Sequence, residues 1–306
     1  MIENSSDNYP VVGLLYNPSV PYILCEAGDL VQYLAVIPER FRFDLDVNAA
    51  PGKRFRRLEE EIDLLKRCAE GRIVAGHGIG LSLPSAVPLD RDLLDQNASF
   101  AAELGFSWYS EHLSMFLMPH GKVPNEQAAI GLPVVYDEES FELLRDKLRV
   151  LKDALGCQLM LENGSIYTAI PEMEMTEPEF FNRLYREVDC GVLLDLHNLY
   201  VTSRHGNVDP ERYLRDLDPD AVIEIHLAGG DKLSGYYTDS HSRLTPAEVW
   251  SWAHEFVPHF KNLRAITFEF HESFLERLGV SGIAGELERM HKLAECCSKT
   301  PEVSYA

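Results

Sequence analysis

The chain has 306 residues, 45% hydrophobic and 25% charged, a balance that suits a globular protein and one α/β barrel with insertions. Its 49 acids against 28 bases give a formal charge of −21, which argues against nucleic acid as a partner because phosphate backbones need basic surface. No apolar run reaches the roughly 18 to 20 residues of a membrane span. Met1–Pro10 lacks the basic flank and apolar stretch of a secretory signal, so the expectation is a cytoplasmic protein without membrane contact. Cys25, Cys68, Cys157, Cys190, Cys296 and Cys297 show no C-x-x-C spacing, which predicts inert thiols rather than disulfides or a thiolate zinc site.

Short continuous apolar runs predict strands at Val11–Tyr16, Tyr33–Ile37, Arg72–His77, Phe106–Glu111, Gln158–Glu162, Gly191–Asp195, Ala221–His226 and Ala265–Phe270. Such runs mark parallel strands covered on both faces. Helical periodicity falls between them. In Arg54–Glu70 it aligns Leu58, Ile62, Leu65 and Cys68, and in Glu139–Ala154 it aligns Phe141, Leu144, Leu148 and Leu151. Glu179–Val188, Pro246–Val257 and Ser273–Cys296 complete the helices. Pro119–Tyr136 fits neither pattern and reads as an insertion over one face. Strand and helix alternating without a composition break predict a single (β/α)8 TIM barrel over residues 1–306. An open doubly wound sheet is disfavoured, because Gly76-His77-Gly78-Ile79-Gly80 has the wrong register for G-x-G-x-x-G.

Such barrels carry their chemistry at the C-terminal ends of the strands. There stand His77, His112, Glu162, Asp195, His226 and Glu269. Asp239 and His241 add a D-x-H pair in the segment Tyr236–Ser242. Asp195 and His197 share a face if their strand continues, with Asn198 a candidate cap for the next helix. Ser110-Glu111-His112 puts two polar groups on opposite faces, of which His112 is taken as the ligand and Glu111 as structural. Glu224 and His226 fall on one strand face. Buried carboxylates need a counter-charge, and this many converging nitrogen and oxygen donors exceed one mononuclear site. Two or three ions of iron, manganese or zinc are the economical reading.

On Gly76-His77-Gly78, Ser110–Ser114, Leu161-Glu162-Asn163, Leu194-Asp195, Asn198-Leu199-Tyr200, Ile225–Gly229, Asp239-Ser240-His241 and Phe268-Glu269, the chain resembles the multinuclear non-haem iron-dependent oxidases, the family of methanobactin-type peptide-modifying enzymes. The resemblance covers Val11 to about Phe274. It implies a barrel of the xylose-isomerase type and metal ligands at His77, His112, Glu162, Asp195, His226, Asp239, His241 and Glu269, joined by His197 from the pattern above. Asp195, His226 and Asp239 are the positions expected to act in catalysis. The implied cofactor is two or three irons in mixed valence, with dioxygen as co-substrate. The implied partner is a ribosomally synthesised precursor peptide containing cysteine, with a small protein that presents it.

Three positions depart from the family pattern. His197-Asn198 stands where many members have two asparagines. Gly230 stands where they have a histidine, and Glu269-Phe270-His271 where they read Glu-Trp-Asp. Two other readings compete with the oxidase: a zinc or manganese hydrolase or isomerase on a similar barrel, and a non-catalytic barrel that binds a metal or a partner.

Overall fold

A computed structural model describes residues 9–45, 53–117, 127–168, 173–206 and 208–297. Eight parallel strands close into a barrel in sequence order: β1 (Val11–Leu15), β2 (Tyr33–Val36), β3 (Ile73–Gly78), β4 (Trp108–His112), β5 (Gln158–Glu162), β6 (Cys190–Asp195), β7 (Val222–Leu227) and β8 (Ala265–Phe268). β8 closes onto β1, Val11 pairing with Ala265.

The apolar runs sort into two packed layers. Tyr33, Trp108, Met160, Leu193 and Ile223 fill the barrel interior, while Leu34, Leu161, Leu194 and Ile225 face outward into the strand–helix layer. Burying each such side chain stabilises the fold by about 1.5–3 kcal/mol. The helix Glu138–Leu155 shows how the outer layer is specified. Phe141, Leu144, Leu148 and Leu151 are buried, Asp137 caps the N-terminus through Ser140 N, and Gly156 ends it with φ 65°.

The strands fall within two residues of the expected bounds. The helices differ more. Arg54–Glu70 is not one helix: Phe55–Arg57 pairs antiparallel with Arg42–Asp44, and the helix is Glu59–Ala69. Ser273–Cys296 is broken at Gly279, φ 67°, which precedes the long helix Val280–Glu295. Helices Val20–Ala27, Arg91–Leu104 and Pro210–Asp216 escape the periodicity reading. Of the insertion expected over Pro119–Tyr136, residues 119–126 lie outside the described residues. Gln127–Leu132 pairs antiparallel with Met115–Leu117.

That hairpin follows β4, the hairpin Arg42–Asp44/Phe55–Arg57 follows β2, and a third, Asp231–Leu233/Tyr236–Thr238, follows β7. All three therefore rise from the C-terminal rim. Phe43, Leu45, Leu233 and Tyr236 are exposed on them or beside them. All six cysteines are free. Among the described residues no helix is long and apolar enough to cross a membrane.

Candidate metal centre

β3 to β7 each deliver one ionisable group to the C-terminal mouth, and Glu269 follows directly after β8. In register, His77 lies opposite Ser110, His112 opposite Glu162, and Asp195 opposite His226. Glu269 is held by its amide, which donates to Leu227 O at 2.9 Å. Gly78 is required beside His77, because a Cβ there would meet the Tyr109 hydroxyl at 2.0 Å and Glu111 Oε1 at 2.1 Å. Glu111 takes no part in the mouth and accepts from Tyr109 at 2.9 Å.

The side chains converge in overlapping groups: His77, His112 and Glu162; Glu162, Asp195 and His226; His77, His226 and Glu269; Asp195, His241 and Glu269; and His197, Asp239 and His241. Within each group the donor atoms lie within 4.8 Å of one another. Glu162 Oε2 is 3.5 Å from His77 Nε2 and 3.2 Å from His112 Nδ1. Glu269 reaches His226 Nδ1 at 2.7 Å and His241 Nδ1 at 3.4 Å. Asp239 Oδ1 lies 2.9 Å from both His241 Nε2 and His197 Nδ1.

Each donor is held by neighbours on its far side. Ser110 Oγ pairs with His77 Nδ1 at 2.8 Å, leaving Nε2 to face Glu162. Asn198 donates to Glu162 Oε1 at 3.1 Å. Asn163 clasps the Asp195 backbone, accepting from its N–H at 2.8 Å and donating to its carbonyl at 2.9 Å. Glu224 Oε1 lies 3.0 Å from His226 Nε2, so Nδ1 is the nitrogen that faces the mouth. Tyr33 and Trp108 donate to Glu224 at 2.8 Å and Thr267 at 2.7 Å. Glu224 reaches the interior because β7 carries an extra residue: Val192 pairs with Val222, but Leu193 pairs with Glu224. Such bulges re-aim side chains next to active sites.

Asp195 corrects one expectation. The strand stops there, and the helix Leu196–His205 begins at the next residue, so Asp195 and His197 do not alternate along a strand. Asp195 itself is the cap, its Oδ1 accepting from Asn198 N at 2.8 Å. Asn198 lies inside the first turn. His197 reaches Asp239 from the helix, and both of its ring nitrogens have partners, Asp239 at 2.9 Å and the Tyr237 hydroxyl at 3.2 Å.

Two departures from the family pattern are neighbours in space. A Cβ on Gly230 would lie 3.2 Å from His197 Cε1 and 1.9 Å from Thr238 O. The imidazole absent at 230 is thus matched by one arriving at 197 beside the same gap. His271 does not reach the centre; its Nδ1 accepts from Ser273 N at 3.2 Å.

The electrostatics show what the site lacks. Burial drives Glu162 well above the usual carboxylate range, with Asp195 and Glu269 adding repulsion. Burial also lifts Asp195 to about 6, with Asp239 and Glu269 adding to it. Burial opposes charge on Asp239 and Glu269 too, but neighbouring imidazoles hold both low: His241 and His197 for Asp239, His226 and His241 for Glu269. Burial keeps His77 neutral and brings His112 down to about 4, leaving their lone pairs available.

Glu162 Oε2 and Asp195 Oδ2 are buried without a hydrogen-bond partner, while Glu269 Oε1 and His226 Nδ1 have only each other at 2.7 Å and His241 Nε2 has only Asp239 Oδ1 at 2.9 Å. A buried acceptor left unpaired costs about 1–3 kcal/mol. Such atoms converging in one mouth fit cations, and a donor set of imidazole and carboxylate without thiolate fits iron, manganese or zinc. The sequence reading puts Glu224 on the strand face of His226 but gives neither it nor Ser110 nor Asn163 a holding role. The spacing of Glu224 to His226 was the one available signal.

The profile of the family described as "RiPP precursor modification enzyme MbnB/TglH/ChrH" matches residues 12–294. A UPF0276 protein of Anaeromyxobacter sp. is 32% identical over 77% of this chain and 77% of its own length. One from Chromobacterium violaceum is 38% identical over 63% of this chain and 68% of its own. The match to a Neisseria meningitidis serogroup C relative, 36% identical over 60% of this chain, spans 64% of that protein's length. Among solved structures, endonuclease IV from Thermus thermophilus aligns with a TM-score of 0.56 at 17% identity, covering 94% of this chain and 99% of that one. A xylose isomerase domain protein from Planctomyces limnophilus aligns at 0.55 and 16% identity, covering 93% and 97%. At this identity the two matches show the barrel fold alone.

Proposed function

The chain belongs to the MbnB/TglH/ChrH family of RiPP precursor modification enzymes, and we propose that it is a cytoplasmic iron-dependent oxidase that uses dioxygen to modify a cysteine in a ribosomally synthesised precursor peptide. The observation that carries this reading is the convergence of five overlapping groups of imidazole and carboxylate donors at one barrel mouth, with Glu162 Oε2 and Asp195 Oδ2 buried and unpartnered among them. They ask for more than one cation, and nitrogen–carboxylate sets with open positions suit non-haem iron and oxygen chemistry.

On this reading His77, His112, Glu162, Asp195, His226, Asp239, His241 and Glu269 would hold the ions. When bound, the irons supply the electrons for oxygen reduction and a position for the peptide sulfur. The protein's own part is to fix the donors. Ser110 and Glu224 set which nitrogen of His77 and His226 faces inward, and Asn198 and Asn163 hold Glu162 and Asp195. His197 supports Asp239 through a hydrogen bond. Barrel walls of Tyr33, Trp108 and Met160 keep water from the floor. The exposed apolar residues of the rim hairpins would meet the peptide or a small protein that presents it.

The test is anaerobic loading with ferrous iron, metal counting, then air in the presence of a short cysteine-containing peptide encoded beside the gene. Two or three irons per chain, oxygen uptake and a change in peptide mass are expected. An unchanged peptide with iron bound and oxygen consumed would overturn the substrate. Stoichiometric zinc or manganese with no oxygen uptake would turn the reading to a hydrolase or isomerase.

A further inference from the structure

Beside the mouth lies a second hollow with chemistry of its own. A cavity of about 590 Å³ sits between the loop that follows β5 and the helices Glu177–Val188, Leu196–His205 and Pro210–Asp216, a size typical of ligand sites. Ile166, Met173, Met175 and Val208 give it apolar walls. Its charges are one-sided, with Glu174, Glu177, Glu179, Asp209 and Asp216 lining it against Arg212.

Four of these acids are engaged locally. Asp216 accepts from Arg212 Nε at 3.3 Å, which also occupies that base. Glu179 closes a capping box with Thr176, Asp209 caps Pro210–Asp216, and Glu174 accepts from Glu138 N at 3.2 Å. Glu177 is different. The Tyr136 hydroxyl donates to its Oε1, and no described base pairs with it. Burial lifts this carboxyl to about 7. Tyr213, 5% exposed, lines the same cavity, and its buried hydroxyl has no hydrogen-bond partner among the described residues. A carboxylate taken out of water needs a counter-charge, and a phenol oxygen can accept an N–H. A guanidinium or ammonium group answers both, with its alkyl stem lying along the methionines.

The cavity shares a wall with the centre. Thr202 lines it and accepts from Ile166 N at 2.9 Å, which holds the loop. Asn198, one turn earlier on the same helix, donates to Glu162 Oε1 at 3.1 Å. One turn is roughly 5 Å, so a peptide crossing this loop can enter both.

We propose that the cavity is a second binding site, which takes an arginine or lysine side chain of the precursor peptide a few residues from the one that is modified. This rests on the substrate being a precursor peptide, and not on iron or oxygen. Seating the basic side chain sets which residue of the peptide reaches the mouth.

Methionine-methyl resonance spectra of the full chain, titrated with n-butylguanidinium and with its neutral isostere n-butylurea at physiological ionic strength, test this. The Met173 and Met175 signals should shift saturably with the cation and stay in place with the urea. Glu177→Gln should weaken binding of the cation by about 10-fold or more, and Tyr213→Phe by a smaller factor. Unmoved signals from the other methionines show that both variants fold. In a precursor peptide, replacing the basic residues near the modified one by glutamine should raise KM and leave kcat. No shift at Met173 and Met175, an equal shift with butylurea, or undiminished binding by Glu177→Gln would overturn the site. Cation binding with KM unmoved by the glutamine peptide would overturn the peptide as its occupant. The spectra need no metal, so failure of the oxidase reading leaves their outcome untouched.

Discussion

His226 Nε2 rests 3.0 Å from Glu224 Oε1 inside the barrel, two residues back on the same strand. Burial opposes charge on Glu224, yet His226, Thr267 and Tyr33 together hold it below the usual carboxylate range. The carboxylate fixes the ring orientation that leaves Nδ1 for a metal. Removing such an outer partner typically costs 10–100-fold in metal affinity. Glu224→Gln should therefore weaken iron binding by about 10–100-fold, measured by competition with a chelator. Wild-type affinity in this variant would show that the ring orientation is set elsewhere.

Glu162 predicts opposite signs with and without metal. Its Oε2 is buried and unpartnered, 3.5 Å from His77 Nε2 and 3.2 Å from His112 Nδ1. Glu162→Gln puts a donor amide beside those two imidazoles and removes a buried acid. The metal-free variant should melt higher than the metal-free wild type, by about 1–2 °C per kcal/mol recovered. If the centre holds iron as proposed, the same variant should bind at least one ion fewer and show less stabilisation by added ferrous iron than the wild type. Calorimetry and metal counting on the same samples read both.

Gly230 and His197 should behave as a coupled pair. A Cβ on residue 230 would meet Thr238 O at 1.9 Å and His197 Cε1 at 3.2 Å. Gly230→His alone should destabilise the protein by about 1–3 kcal/mol through overpacking. Adding His197→Asn opens part of the space. The double variant should recover about 0.5 kcal/mol or more relative to additivity. Chemical denaturation of the four proteins measures the coupling, and strict additivity would contradict the adjacency of the two sites.

Glu177 should give the stability a pH dependence far from the centre. Burial lifts its carboxyl from 4.5 to about 7, against the Tyr136 and Tyr213 hydroxyls that favour its charge. The folded state therefore holds this proton more tightly than the unfolded chain. Its contribution is fully present below pH 4.5 and is lost as the pH rises through about 7. Glu177→Gln should flatten the melting temperature across that window and melt above the wild type at its upper end. An unchanged pH profile would assign the dependence elsewhere.

The barrel was legible because each strand is a short apolar run, and most of the ionisable groups that matter end one. What the runs could not carry is distance. Glu162 comes within reach of both His77 and His112 only when β3, β4 and β5 are brought into register. His197 was misplaced because alternation extended β6, whereas the Asp195 carboxylate ends it by capping Asn198 N. The helix Arg91–Leu104 escaped because its buried face includes Asn97, bonded to Tyr109 and Glu39, which breaks the apolar stripe. Glu224 looked like one more strand residue, since its four partners come from β2, β4, β7 and β8.

The proposed ligands do not share one kind of support. His77, His112, Glu162, Asp195 and His226 belong to barrel strands, and Glu269 is tied to β7 by its amide. Asp239 and His241 belong to a loop, and His241 sits at φ 49°, where a side chain is under backbone strain. The centre therefore rests on barrel strands on one side and, on the other, on a loop pinned by side-chain and loop hydrogen bonds, such as that from Asp239 N to the Tyr167 hydroxyl at 2.9 Å. If an ion must shed a ligand to admit a peptide, the loop can yield by a rotation or two, while the strand side can yield only by unzipping the barrel. Amide exchange should divide along the same line, fast over residues 239–241 and slow over the strand ends, and the arriving peptide should slow the fast side first.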